Sequence, residues 1–249
     1  VSVGGLLVSP TGAHFAFTAA VFPDCEGDML ACTANRQEQA EQNIVKARIY
    51  DKLLVRHWDT WEDGTRSHLF VIPTDSGGKS SEARDLTPGD SNVPPYLEGG
   101  RGYDFSPDGK EMAYARNIDT KKFADEALST NSDVWVVPVT GGDPKRITTS
   151  KGWDGTPQYS PDGRYIAYIS MEREGFESDL RHLMLYHRAT GKHSDLSGQS
   201  SYNVGTYLWN ADSKFIYLTM AMNARNQTLR VSVPGGDITS YFPNVNAGG

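Results

Sequence analysis

One turn-and-strand phrase recurs along this chain, and it restricts the possible folds more than any other feature. Its fullest copy is Tyr159-Ser160-Pro161-Asp162-Gly163-Arg164-Tyr165-Ile166-Ala167-Tyr168-Ile169. The first half is a turn: Pro161 presets φ, Asp162 can bond its own backbone, and Gly163 accepts a positive φ. The second half is β-branched and aromatic with apolar residues on both faces, so it predicts a strand buried between neighbours. Ser106-Pro107-Asp108-Gly109 before Lys110–Tyr114 repeats it, Ser9-Pro10-Thr11-Gly12 before Ala13–Phe17 is an earlier copy, and Asn210-Ala211-Asp212-Ser213 before Lys214–Leu218 is a degenerate fourth.

Spacing turns the repeats into architecture. Ser106 and Ser160 are 54 positions apart, Ser160 and Asn210 are 50, and Ser9 and Ser106 are 97, so the first unit carries extra chain. Apolar runs at Leu69–Ile72, Val134–Val137, Leu183–Tyr186 and Leu229–Val233 keep step, each leading to a glycine turn. Short closing strands follow, such as Arg84–Thr87 and Lys145–Thr148. Several strands per period of roughly 40–50 residues are the mark of propeller blades. The expectation is an all-β, incomplete β-propeller, about four blades of a larger ring. The chain would begin partway into its first blade, and its open strand edges would favour homo-oligomers.

A segment of different character interrupts the first unit. Asn35-Arg36-Gln37-Glu38 fits a capping box with Asn35 as N-cap. Ala40, Ile44, Ala47, Tyr50 and Leu54, widened by Val45, Ile49 and Leu53, make an apolar stripe at helical spacing. A helical insertion over about 33–57 is therefore predicted. It runs into Arg56-His57-Trp58-Asp59-Thr60-Trp61, where either the tryptophans anchor the segment while Arg56 pairs with Asp51 or Asp59, or the segment walls a binding cavity. Ile118–Thr130 reads as a polar surface loop, and Glu172-Arg173-Glu174-Gly175-Phe176-Glu177-Ser178-Asp179 as a charged loop where a tight hairpin would suffice.

Composition excludes several classes. A net charge of −7 without a basic stripe argues against nucleic acid, and no apolar run approaches the ~20 residues of a membrane span. Cys25 and Cys32, the only cysteines, can close a small loop as a disulfide or stand as two free thiols. No metal-ligand spacing accompanies them, and no cofactor is implied. Asn226-Gln227-Thr228 is a glycosylation sequon, meaningful only in a secreted eukaryotic protein.

The Ser-Pro-Asp-Gly repeats, together with Tyr50–Trp61 and Met171–Asp179, resemble the N-terminal propeller of the prolyl oligopeptidase family, in its dipeptidyl peptidase 5 and acylaminoacyl-peptidase branch. The repeats alone are shared with the TolB propeller, whose resemblance would imply a non-enzymatic, protein-binding role. The two charged segments favour the peptidases. That resemblance implies a serine exopeptidase with a C-terminal α/β-hydrolase domain carrying a Gly-x-Ser-x-Gly elbow. No such elbow occurs here, since Gly198-Gln199-Ser200-Ser201-Tyr202 lacks the final glycine. The implied role is to cap the active site, filter peptide substrates by size and help hold the substrate's N-terminus. The candidate binding residues are Glu172, Arg173, Glu177 and Asp179 in the loop, and Arg56, His57, Asp59 and Trp61 in the earlier segment. The family's periplasmic and secreted members favour a bridged Cys25–Cys32 pair and a periplasmic or secreted location.

Overall fold

The computed structural model describes residues 1–51, 55–96, 98, 100–117, 129–198 and 200–241. Strands β1 (Val3–Val8) and β2 (His14–Val21) are followed by helix α1 (Met29–Gln42) and a small hairpin, β3 (Arg56–His57) with β4 (Thr60–Trp61). Strands β5 (Arg66–Pro73) and β6 (Arg84–Asp85) then complete an antiparallel sheet in the order β1-β2-β5-β6. The second blade holds β7 (Tyr103–Phe105), β8 (Glu111–Arg116), β9 (Asp133–Pro138) and β10 (Lys145–Arg146). The third holds β11 (Asp154–Tyr159), β12 (Tyr165–Ser170), β13 (His182–His187) and β14 (Lys192–Asp195). The fourth holds β15 (Val204–Trp209), β16 (Phe215–Met222), β17 (Arg225–Ser232) and β18 (Ile238–Ser240). These are meander sheets of four strands, the unit of a propeller. The first blade has all four of its strands, which corrects the expectation that the chain starts partway into it.

The repeated phrase makes the turn between each first and second strand. Gly12, Gly109, Gly163 and Ser213 all take a positive φ, and each donates its N–H to the carbonyl of the residue that opens the motif. Asp108 and Asp162 accept hydrogen bonds from the hydroxyls of Ser106 and Ser160, both at 2.7 Å. Turns of successive blades touch: Asp162 N–H donates to the Ser213 hydroxyl at 3.0 Å. First strands meet as well, with the Tyr103 hydroxyl bonded to the Gly5 carbonyl and the Tyr207 hydroxyl to the Thr156 carbonyl.

A second repeat closes the outer half of three blades. The hydroxyls of Thr87, Thr148 and Ser197 accept the N–H groups of Leu69, Val134 and Leu183, the third-strand residues opposite them. Beside each lies a polar pair: His68 with Asp85, Arg146 with Asp133, and His182 with Asp195. The motif survives a reversal of its charge order in blade 2 because a facing pair of opposite polarity, rather than a particular residue, satisfies the buried end of the sheet.

Apolar clusters join blade 1 to 2, 2 to 3, and 3 to 4; among the described residues no cluster joins 4 to 1. The remaining cluster explains the insertion. Phe17, Ala19, Val21, Phe70 and Ile72 lie on the blade 1 face turned away from blade 2, and Met29 and Leu30 of α1 pack on them. The helix starts earlier and ends sooner than its sequence pattern predicts. Asp28, not Asn35, is the N-cap, accepting the Ala31 N–H at 3.0 Å, and the helix stops at Gln42. Ile44, Val45 and Ile49 are exposed beyond its end, and Leu53 and Leu54 lie outside the described residues. The disulfide between Cys25 and Cys32, with Cα atoms 6.0 Å apart, ties the loop before the helix to its first turn. That cross-link and the Asp28 cap together outweigh the weaker signal at Asn35.

Candidate functional site

Antiparallel order makes the two ends of each blade unequal. Ser-Pro-Asp-Gly turns and the third-to-fourth-strand turns share one end. The connections from second to third strand, and from one blade to the next, share the other. The insertion at 22–65, the loop at 171–181 and the connector at 86–102 therefore all project from that loop end, and the two segments singled out in the sequence share it.

The charged loop is preorganised by Asp179, which is buried. One oxygen accepts the backbone N–H groups of Glu172 and Arg173 at 3.1 and 2.7 Å, and the other accepts Arg173 Nε at 2.8 Å. The Arg173 side chain, followed by these backbone donors, holds this carboxyl well below the usual carboxylate range. Arg173 also lies over the Phe176 ring, 4.2 Å from its centroid. Asp179 and Arg173 thus fix the loop's shape, while Glu172, Glu174 and Glu177 stand exposed on it. Glu177 and Phe176, with Thr130, Trp153, Met171 and Arg181, enclose a cavity of about 140 Å³.

Arg56, His57, Asp59 and Trp61 occupy the β3–β4 hairpin. His57 stacks on Tyr96 with ring centroids 4.2 Å apart and planes within 6°. The Tyr96 hydroxyl donates to Glu62, and Tyr50 packs against Trp61 at 5.9 Å. The proposed tryptophan anchoring does not occur. Trp58 is 84% exposed and Trp61 54%, and Arg56 donates to the Trp58 carbonyl at 2.7 Å rather than pairing with Asp51 or Asp59. Stacking of His57 on Tyr96 and packing of Trp61 on Tyr50 hold the hairpin. No contact joins it to the charged loop among the described residues, and no cluster there could hold a metal.

Beside the charged-loop cavity, sharing Trp153 and Arg181 with it, lies a larger one. The first strands of blades 2, 3 and 4 border a cavity of about 730 Å³, lined in part by Arg101, Asp104, Trp153, Gln158, Arg181 and Tyr207. Glu98, from the connector, reaches its rim from behind. Its Oε1 accepts the Thr156 N–H at 2.6 Å, while its Oε2 is enclosed without a partner. Burial pushes Glu98 up from 4.5 to about 7, against the pull of the Thr156 N–H and of Arg181. Burial likewise lifts Asp104 to about 6, opposed by the Tyr159 N–H that it accepts at 2.9 Å. Thr156 itself has φ +51°, a strained conformation for a β-branched residue, where the corresponding positions of blades 1 and 2 are Gly5 and Gly102.

No family model matches the chain. It is 36% identical over 194 residues to dipeptidyl-peptidase 5 of Porphyromonas gingivalis, covering 77% of this chain and 28% of that protein. The chain belongs to the prolyl oligopeptidase family, in its dipeptidyl-peptidase 5 branch. Solved structures agree on the fold. An acylaminoacyl peptidase superposes with a TM-score of 0.63 at 10% identity, over 96% of this chain and 31% of that one. TolB from Acinetobacter baumannii gives 0.56 at 14%, over 96% and 43%. Shape alone thus fits both kinds of propeller, and sequence separates them. The chain spans under a third of the length of its Porphyromonas relative.

Of the eight binding residues expected from the sequence, Glu172 and Glu177 are exposed on a braced loop, Arg173 and Asp179 do the bracing, and the other four sit on a separate hairpin. Glu98, Asp104, Arg101 and Arg181 were missed. Glu98 and Arg101 lie in the Pro/Gly-rich stretch Asp90–Gly102, whose composition reads as a connector, and nothing local marks Glu98 or Asp104 as shielded from water.

Proposed function

We propose that this chain is the propeller portion of a serine exopeptidase of the dipeptidyl-peptidase type. In the complete protein an α/β-hydrolase domain supplies the nucleophile, and the propeller caps the active site and admits peptides by size. The 36% identity to a dipeptidyl-peptidase 5 over 77% of the chain carries this reading. The far face of blade 4 supports a ring with further blades: Phe215 and Tyr217 are half-buried there and Tyr241 is 45% exposed. The Cys25–Cys32 bridge suits a periplasmic or secreted protein, and no helix among the described residues is long and apolar enough to cross a membrane.

The charged loop is the propeller's contact with the substrate's N-terminus. A dipeptidyl peptidase must recognise an α-ammonium group, and removing that cation from water is costly unless carboxylates meet it. Glu172 and Glu177 are free to do so because Arg173 and Asp179 satisfy each other. In the full-length protein, Glu177→Gln or Glu172→Gln raises KM for free-amine dipeptidyl substrates at least tenfold more than for N-blocked ones. Equal effects on the two substrate types would remove the loop from this role. Absence of any sulfonyl-fluoride-sensitive peptidase activity would remove the whole reading.

A further inference from the structure

The 730 Å³ cavity has a charge pattern that the reading above does not use. Its volume is in the range of small-molecule sites. Two guanidinium groups line it, and neither Arg101 nor Arg181 makes a salt bridge among the described residues. Arg181 is half-buried, and its guanidinium lies 5.2 Å from the centroid of Trp153, which holds the group in place while its donors stay open. Arg101 is exposed on the neighbouring strand entry. The third charged group is Asp104, half-buried, with one oxygen accepting the Tyr159 N–H at 2.9 Å and the Phe105 backbone N–H also acting on its carboxylate. Gln158, held by the Tyr207 carbonyl at 3.2 Å, stands between blades 3 and 4 on the same wall.

Arg181 acts on Glu98 and Arg101 on Asp104 only beyond ion-pair distance, so both guanidinium groups keep donors for an anion, which they bind best in the planar, two-pronged manner of a carboxylate. A half-buried carboxylate that makes no ion pair at contact distance among the described residues calls for a cation. A ligand meeting both demands in one cavity carries separated opposite charges. We propose that this cavity binds free dipeptides as zwitterions, Arg101 and Arg181 taking the terminal carboxylate and Asp104 the α-ammonium group. The choice of a peptide zwitterion rests on the peptidase reading, because a dipeptidyl peptidase releases such molecules. The cavity, on this account, retains its product or passes it along the inner side of the propeller.

The test uses the full-length protein, treated with a sulfonyl fluoride so that an active-site serine is blocked, and calorimetric titration with alanyl-alanine. Alanyl-alanine binds, whereas N-acetyl-alanyl-alanine and alanyl-alanine amide, each lacking one charge, bind at least tenfold more weakly. Arg181→Ala and Asp104→Asn each weaken alanyl-alanine at least tenfold. Arg101→Ala, at an exposed position that folding does not depend on, weakens it at least threefold. No binding at millimolar dipeptide, equal binding of the three ligands, or unchanged affinity in the Arg101→Ala protein would overturn the proposal. If the sulfonyl fluoride fails to label and no peptide is cleaved, the peptidase reading fails separately, and the same titration on untreated protein still decides the cavity's ligand.

Discussion

Replacing Glu98 by Gln stabilises this propeller at alkaline pH and leaves it almost unchanged in acid. Glu98 ties the blade 1–2 connector to blade 3 through the Thr156 N–H, and Gln keeps the carbonyl oxygen that accepts it. What Gln removes is the ionisation. Burial raises the Glu98 carboxyl from 4.5 to about 7, so between those values the unfolded chain has released a proton that the folded chain still holds. Stability from this group is therefore full below about pH 4.5, declines as the pH rises, and levels off above pH 7. At about 1.4 kcal/mol for each pH unit of that interval, ionised Glu98 costs the fold about 3 kcal/mol at pH 8. At pH 5 the cost is under about 1 kcal/mol. Asp104 and Asp154, both raised to about 6 by burial, titrate in wild type and variant alike and cancel in the difference. Urea unfolding followed by tryptophan fluorescence at pH 5 and pH 8 measures the two gaps. A variant equally stable or less stable than wild type at pH 8, or one whose advantage is the same at both pH values, would refute the argument that Glu98 is a buried acid.

Thr156→Gly relieves a β-branched residue at φ +51° and gains about 0.5–1 kcal/mol in the same unfolding assay, net of the glycine's greater chain entropy. Asp179→Ala leaves two loop N–H groups and Arg173 unmatched; it lowers stability by about 1–3 kcal/mol and exposes the 171–181 loop to limited proteolysis, read by mass spectrometry. Cys32→Ser opens the Cys25–Cys32 bridge and costs about 2–3 kcal/mol by the chain-entropy argument, with a lower Tm under non-reducing conditions and none of that difference in reductant.

The blades were legible because each one states the same local rule several times. A turn with Pro, Asp and Gly in fixed order, followed by a strand apolar on both faces, leaves few alternatives to a buried hairpin, and β12 is indeed buried on both faces. The third strands of all four blades coincide with the four apolar runs and begin before them, β17 starting at Arg225, four residues ahead of Leu229. The helix was misplaced for a tertiary reason. The apolar stripe runs on to Ile44 and Ile49, which are exposed, while the contact with the sheet is made by Met29 and Leu30 on the face of blade 1 turned away from blade 2. The charged loop announced itself by charge density, but which acid is spent on bracing depends on Arg173 folding back on Asp179. The cavity could not be read at all, because Asp104, Gln158 and Arg181 come from three elements in two blades and converge only when first strands pack.

The unequal ends of the blades explain why candidate chemistry concentrates where it does. At the turn end each hairpin is fixed by its own short motif, and neighbouring turns touch, as Asp162 does Ser213, so added chain would separate the blades. At the loop end, a second-to-third-strand connection can grow without disturbing any ladder. Blade 1 spends that freedom on α1 and the β3–β4 hairpin, blade 3 on the loop braced by Asp179, and blade 4 keeps a tight turn at Asn223-Ala224, both residues at positive φ. The connector carrying Glu98 emerges at the same end and links them. Tyr96 stacks under the hairpin at His57, and Glu98, two residues on, grips Thr156 beside the cavity that Arg181 and Trp153 share with the charged loop. A change in the hairpin is thus felt at the cavity through the connector, where Glu98 lies two residues beyond Tyr96. His57→Ala, which removes the stack without touching the cavity wall, provides the check: it loosens the connector and speeds hydrogen exchange at the Thr156 amide. Unchanged exchange there would show that the hairpin and the cavity are mechanically independent.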